Sequence, residues 1–427
     1  MQTRALIDQL KVGVYIHLDL NWMDHPFGFG SFKIKSLDQI QTLREMGLKS
    51  VRIDLEKSDT RIEPWLGDSA APASPAPESG APAAALPQDP AIQAKRERQE
   101  RLAQRREAIA RVSRQYHKAA GTLRNLQAAL QTRPGQSVEQ AAALADELSA
   151  SFFSEREVAI HALLSQSGSA EAHAHALNVA LISLLVAREM QISQAEASLI
   201  AQGAFHHDIG LREVPSRILL KTDPLTSAER ASRESHVIAG VQLGRELKLP
   251  DAVLGVIAQH HELADGSGYP GRLKGEAILP FARIVGLANY YDNLCNPVDT
   301  ARALTPHETL SHLFAQQRAR FDEKAIQILI RCLGVYPPGS LVQLSNETVC
   351  MVASVNTARP LRPTVVVYDA KTPRDAPMIV DLAHEADINI RGALRRSQVP
   401  PRALEYLTGR GRISYFFEPV QAEAPQP

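Results

Sequence analysis

Half of the chain's fourteen histidines, His173, His175, His206, His207, His236, His260 and His261, fall between positions 173 and 261. An even scatter over 427 residues would leave about three there. Imidazoles gathered this densely, with Glu171, Asp208 and Glu262 among them, are what a site for borderline divalent metals requires: neutral nitrogen donors, and a carboxylate able to bridge two ions. The rest of the chain is organised around this run. Glu171 and His175 stand four apart and share one helix face. His207-Asp208 sits at a helix end in Phe205-His-His-Asp-Ile-Gly210, where adjacent residues can project around two ions, and His236 lies on the next helical stretch. His260-His261 closes another, just before the loop Asp265-Gly-Ser-Gly-Tyr-Pro270. A single such histidine is more often a hydrogen-bonded core or surface residue than a ligand. Five at helical placements, with a His-Asp and a His-His doublet, point the other way.

The flanks divide the chain. Val12, Val14, Ile16, Leu18 and Leu20 alternate as a strand does, and Ser36 with Gln39 forms a capping-box pattern. Ile40 and Leu43 give that helix an apolar face, Gly47 caps it, and Val51, Ile53 and Leu55 restore the period of two. Residues 1–66 are thus expected to be a small α+β module with a β-α-β order. Its loop Trp22-Met-Asp-His-Pro-Phe27 is either a binding face or packing for its own domain. Between Gly67 and Ala91, fifteen of twenty-five residues are Ala or Pro, so the segment predicts an extended linker.

Residues 92–136 predict a long helix. Leu102, Ile109, Tyr116, Leu123 and Leu130 recur every seven residues, with Val112, Ala119 and Leu126 at the complementary positions. Two readings stand: a homodimerising coiled coil, or a helix laid along its own domain. From 137 to 335 the pattern is almost wholly helical. Residues 336–420 then predict a β-rich extension (Leu341 to Leu344, Thr348 to Val355, Thr364 to Tyr368) with no assigned chemistry, and 421–427 a disordered tail.

Lys+Arg and Asp+Glu are equal at 47 each, so no global field favours a nucleic-acid polymer or an anionic membrane; phosphate binding must be local. Cys295, Cys332 and Cys350 lack framework spacing and read as buried small hydrophobes in a reducing compartment. The apolar run Ala176 to Ala187 is too short to span a bilayer and the start lacks a secretory apolar region, so a cytoplasmic protein is expected.

The order His175, His207-Asp208, His236, His260-His261 and DGSGYP, continued by Ile218-Leu-Leu-Lys221, Leu225-Thr226 and Glu229 and ending near Phe321-Asp322, closely resembles the HD-GYP family. These are helical metal-dependent phosphodiesterases of the HD superfamily that degrade cyclic di-GMP. The segments around WMDHPF and YPPGSLVQLSN are similar to the flanks of one bacterial subgroup. The implied fold is mainly α: an HD-type helical metal-dependent phosphohydrolase domain with a small N-terminal α+β domain and a small C-terminal β-rich appendage. The resemblance implies His175, His207, Asp208, His236, His260 and His261 as metal ligands, Glu171 as a ligand to a third ion, and two or three ions of iron or manganese. His207 and Asp208 are the implied catalytic pair.

Gly268 and Tyr269 of the loop are candidates for substrate or partner contact. Two positions depart from the family pattern. Leu211 replaces a lysine that helps hold phosphate, for which Arg212 or Lys221 are substitutes, and Asn289 replaces an aspartate ligand. The favoured activity is hydrolysis of cyclic di-GMP. The alternatives are a module that binds cyclic di-GMP or a signalling partner with little chemistry, and another nucleotide phosphohydrolase of the HD superfamily.

Overall fold

The computed structural model describes residues 4–20, 27, 30–60, 90–153, 158–164, 172–356, 361–370, 372–374, 377–385, 388–408 and 413–419. They form two compact units, 1–107 and 108–427. In the first, strands β1 (Arg4–Leu6), β2 (Tyr15–His17), β3 (Ser31–Lys33) and β4 (Ser50–Asp54) make an antiparallel sheet in the order β1-β4-β2-β3, with α1 (Leu37–Glu45) between β3 and β4. The expected β-α-β order is therefore incomplete, because β1 and β3 are three residues each, too short to declare a period of two. The alternation is nevertheless real in packing terms. Val14, Ile16 and Leu18 are buried with Ile40, Leu43, Val51 and Ile53, whereas Val12 and Leu55 lie beyond the strand ends and are exposed.

Ser36 caps α1 by accepting from the Gln39 amide, but the Gln39 side chain reaches back to Lys35 rather than Ser36, so the box is only half closed. Gly47 follows the helix at φ +71°, a left-handed conformation that favours glycine. Phe27 packs on Phe32 at 4.6 Å. The rest of the Trp22–Phe27 loop, the linker up to 89 and the tail lie outside the described residues.

Helix α2 (Pro90–Ala129) begins inside the last two residues of the expected linker. Tyr116, Ala119, Leu123, Leu126 and Leu130 are buried within this chain, with Tyr116, Ala119 and Leu123 in one cluster with Leu144 and Leu148 of α3 (Pro134–Phe153) and Leu177 of α4 (Ala172–Glu189). From Tyr116 onward α2 lies along its own domain. The side chains of Leu102, Ile109 and Val112 lie outside the description. Helix α4 is buried on every side from Ala176 to Ala187, and apolar there except for Asn178 and Ser183, as a helix enclosed by others must be. It packs against α3, α5 (Gln194–His206), α10 (Pro280–Cys295) and α12 (Glu323–Leu333). Between α5 and α10 come α6 (Ser216–Leu219), α7 (Ser227–Glu234), α8 (His236–Glu246) and α9 (Asp251–Gln259); α11 (Pro306–Gln316) precedes α12. Complete capping boxes start α5 (Ser193 with Glu196), α7 (Thr226 with Glu229) and α11 (Thr305 with Glu308).

One element contradicts the helical expectation for 137–335. Val158–Leu164 is a strand, β5, inserted between α3 and α4. It joins the C-terminal strands β6 (Leu341–Leu344), β7 (Val349–Asn356), β8 (Thr364–Val367), β9 (Met378–Asp381), β10 (Ile390–Leu394) and β11 (Ile413–Pro419), while α13 (Pro401–Thr408) sits between the last two. The sheet runs β10-β6-β7-β5-β11, with β8 bridging β7 and β9 and every pairing antiparallel. A short run that is apolar except for His161 fits a helix or strand equally, and here tertiary pairing decides. Cys295, Cys332 and Cys350 are free and buried, as expected. Among the described residues no helix is long and apolar enough to cross a membrane.

Candidate metal centre

Four helices deliver the histidines and a fifth delivers Asn289. His175 lies in the first turns of α4, His207 caps the end of α5 with Asp208 following, His236 opens α8, and His260-His261 closes α9. Asn289 comes from the middle of α10. The turn after Asp208 can approach α8 only because residue 210 is glycine. A Cβ there would lie 2.0 Å from the His236 carbonyl oxygen and 2.5 Å from the Gly240 nitrogen. The Gly of the His-Asp-Ile-Gly stretch thus brings the Asp208 turn against the helix that carries His236.

The ring orientations are fixed from behind. Nδ1 of His207, His236 and His260 lies 2.7, 2.6 and 2.9 Å from the carbonyl oxygens of Ala204, Arg233 and Ile257. Nδ1 of His175 lies 2.6 Å from Asp292 Oδ2. A carbonyl only accepts, so each of those three Nδ1 atoms donates, and in the neutral ring each Nε2 carries a lone pair. Those lone pairs converge on the two oxygens of Asp208. Oδ1 lies 3.3 Å from His236 Nε2 and 3.6 Å from His260 Nε2; Oδ2 lies 3.4 Å from His207 Nε2 and 4.0 Å from His175 Nε2. Two further acceptor pairs face each other: His236 Nε2 and His260 Nε2 at 3.4 Å, and His175 Nε2 and Asn289 Oδ1 at 3.1 Å.

Acceptors held this close without a hydrogen between them repel unless a cation lies among them. Ligands about 2.0–2.1 Å from one metal ion are separated by roughly 3.0–3.4 Å along an edge of a tetrahedron or octahedron. Four of the six spacings, at 3.1–3.4 Å, match that edge, while His260 and His175 stand farther from Asp208, at 3.6 and 4.0 Å. Nε2 of His207 is moreover a buried polar atom with no hydrogen-bond partner, a vacancy in its bonding that a metal ion fills. The residues present therefore fit divalent metal. They form two overlapping groups, Asp208 with His236, His260 and His261, and Asp208 with His175 and His207.

Electrostatics support the same chemistry. Burial pushes His260 down to about 4 and holds His261 well below the usual imidazole range, so both are neutral donors at neutral pH. Asp208 is held well below the usual carboxylate range against its burial; positive charge on the side of His207, His236 and His260 produces that shift, and a metal ion among their Nε2 atoms would supply it. The centre thus offers one anion, Asp208, and the neutral nitrogens of His260 and His261.

The remaining expected residues divide. Asn289 is in the cluster, its Oδ1 also accepting from Asn293 at 2.6 Å. Glu171 lies outside the described residues. Glu262 is buried but turned away from the cluster; its two oxygens accept from the Gly271 and Leu273 amides and hold the end of the loop. Tyr269 stacks on His261 at 4.6 Å and 21° and closes that side of the centre. Gly268 is required by packing, since a Cβ would meet the Leu263 nitrogen at 2.4 Å and the His261 carbonyl at 2.5 Å. Arg212 is exposed. Lys221 donates to both oxygens of Glu229, at 2.9 and 2.7 Å, so its ammonium is committed to that ion pair. Asp292, which holds His175, escaped the sequence reading; its only signal was a carboxylate three residues beyond Asn289 on one helix.

Residues 141–325 match the HD domain family, and residues 3–141 match a domain of unknown function (DUF3391). The chain is 27% identical over 384 residues to the cyclic di-GMP phosphodiesterase PA4108 of Pseudomonas aeruginosa, covering 86% of this chain and 85% of that one. It is 34% identical over 178 residues to the cyclic di-GMP phosphodiesterase response regulator RpfG of Xanthomonas campestris, covering 41% of this chain and 44% of the relative. Among solved structures, Bd1817, an HDG"Y"P protein from Bdellovibrio bacteriovorus, aligns over 77% of this chain and 98% of its own at 17% identity, with a TM-score of 0.41.

Proposed function

We propose that this chain, a member of the HD-GYP family, is a metal-dependent phosphodiesterase that hydrolyses cyclic di-GMP to pGpG, GMP or both in bacterial second-messenger signalling. One observation carries the reading: the Nε2 atoms of His207, His236 and His260, on three separate helices, converge on both oxygens of Asp208 at 3.3–3.6 Å. In this reading His236, His260 and His261 hold one ion, His175, His207 and Asn289 a second, and Asp208 bridges. A third would need Glu171. Mixed nitrogen and oxygen donors suit iron or manganese.

Paired divalent ions act as Lewis acids on phosphoryl oxygens and make water nucleophilic near neutral pH. The protein's part is to hold the imidazoles neutral and aimed, to keep Asp208 ionised, and to close one side of the site with the Tyr269 ring. Arg212, exposed on the turn after Asp208, is the better candidate for phosphate contact than Lys221, which Glu229 engages. The complete set of facing donors, Asn289 included, favours the enzyme over a module that binds without chemistry.

Asp265, Ser267 and Pro270 are exposed on the loop and would offer a signalling partner its face. Homodimerisation through residues 102–130 is restricted to the part before Tyr116, because the later seam is buried in this chain. Three free buried cysteines suit a reducing cytoplasm. The test is hydrolysis of cyclic di-GMP by anaerobically purified protein loaded with Mn or Fe, followed by chromatography. Products pGpG or GMP support the assignment, and intact nucleotide with a fully loaded centre refutes it.

A further inference from the structure

The support behind His175 reaches an unexpected part of the chain. Asp292 is fully buried, and its Oδ2 lies 2.6 Å from His175 Nδ1. Its Oδ1 accepts from the side-chain amides of Asn178 and Asn296, both at 2.9 Å. Each amide has a second hydrogen, and both second hydrogens go to one atom, the backbone carbonyl oxygen of Ile413, at 3.3 and 2.8 Å. The Ile413 amide donates in return to Asn296 Oδ1 at 2.9 Å. Asn178 Oδ1 accepts from the Tyr116 hydroxyl of α2 at 3.3 Å, which completes its bonding. Asn178, Asn296 and Ile413 are all buried, at 2, 7 and 8% exposure, so no water replaces a lost partner.

We infer that the C-terminal strand β11, through the backbone of Ile413, is a positioning element for His175, so that metal held on the His175 side of the centre depends on a strand from outside the helical domain. The inference rests on the metal-centre reading above. Among the described residues the two amides are the side chains that donate to Oδ1 of Asp292, and Ile413 fixes the rotation of both. Without that carbonyl each amide has a buried unsatisfied hydrogen, a penalty that favours turning away from Asp292. Asp292 then no longer holds the His175 ring with Nε2 towards Asp208 and Asn289. Asn178, Asn296 and Ile413 act through Asp292 and touch neither metal nor substrate; they are positioning residues. Losing such outer partners typically weakens metal binding about 10- to 100-fold.

The experiment is a cobalt titration of the full, metal-stripped chain, reading equivalents bound and the ligand-field spectrum. Asn296→Ala removes the clamp between Asp292 and Ile413, and Asn296→Ser is a milder variant whose shorter hydroxyl cannot bridge both. Leu407→Ala is the control: it opens the core under the C-terminal sheet, among Leu341, Met351 and Val399, without touching the network. The expected result is near-normal binding of one equivalent by the Asn296 variants, with the second weakened about 10- to 100-fold and spectrally altered. Leu407→Ala should bind both equivalents as the parent does, despite a lower melting temperature. Asn296 variants that match the parent overturn the inference, as does an equal loss in Leu407→Ala. A parent chain that binds no cobalt overturns the metal-centre reading itself, and is distinguished by failing before any variant is compared.

Discussion

Replacing Asn289 by aspartate tests whether α10 contributes to the coordination shell. Asn289 is 3% exposed and its Oδ1 lies 3.1 Å from His175 Nε2, so Asn289→Asp puts a carboxylate where the amide oxygen now stands. At an effective dielectric of about 20, unit charges about 4 Å apart attract by about 4 kcal/mol, and a divalent ion doubles that. Against this stands the burial of the new anion, which raises a carboxyl by up to about 3–5 pKa units, or roughly 4–7 kcal/mol. The difference, about 1–4 kcal/mol, corresponds to a metal complex about 5-fold to several hundredfold tighter.

The pH dependence follows from the same terms. Without metal the introduced carboxyl, near Asp208 and Asp292, holds a proton that metal binding expels, so the advantage over the parent grows from pH 6 to pH 8. Competition titrations with a chromophoric chelator at the two pH values measure it. Affinity equal to the parent at both would place residue 289 outside the metal shell and refute the edge-spacing argument.

Asn289→Asp combined with Leu211→Lys is expected to raise cyclic di-GMP turnover above the parent, measured as product formed per minute; no gain would deny position 211 a role in phosphate binding. His207→Ala and Asp208→Ala should each abolish hydrolysis and cut bound metal by at least half, read by elemental analysis. Metal-stripped protein should lose stability as pH falls from 6.5 towards 4. His260 is depressed to about 4 when folded, so below 6.5 the unfolded chain takes up the proton first, on the order of 3 kcal/mol by the lower limit; a flat urea midpoint over that range would contradict it. Leu123→Ala should destabilise the chain by about 2–5 kcal/mol because α2 is core there, while a substitution without effect in thermal melts would return that seam to the dimer reading.

The donors of the centre were legible because imidazole is scarce and its chemistry narrow: His175, His207, Asp208, His236, His260 and His261 announce themselves by type and spacing. Their orientation was not, since three of the four groups that fix the rings are backbone carbonyls, which every residue has. Asp292, Asn178 and Asn296 were hidden for a related reason. Buried amides on helices look like any other helix residues until a partner such as the Ile413 backbone is in place. Glu262 and Lys221 show the converse, charged side chains at expected positions whose partners, the loop amides and Glu229, occupy them. In the fold, the start of α1 was readable from Ser36, where one side chain decides, whereas β5 was lost because Val158–Leu164 carries no preference that distant pairing cannot overrule.

The pairing of β5 with β11 imposes an order in time as well as in space. Leu164 and Ile413 are partners separated by about 250 residues, which at about 5–20 residues per second of synthesis leaves β5 waiting between roughly 12 and 50 seconds for the strand that completes its edge. Throughout that interval the ribosome-bound chain exposes open backbone groups beside a nearly finished helical bundle, a surface on which another nascent copy can pair. Among the described strands β11 is made last, and a chain cut short near residue 410 would leave β5, from its middle, as the edge of the sheet.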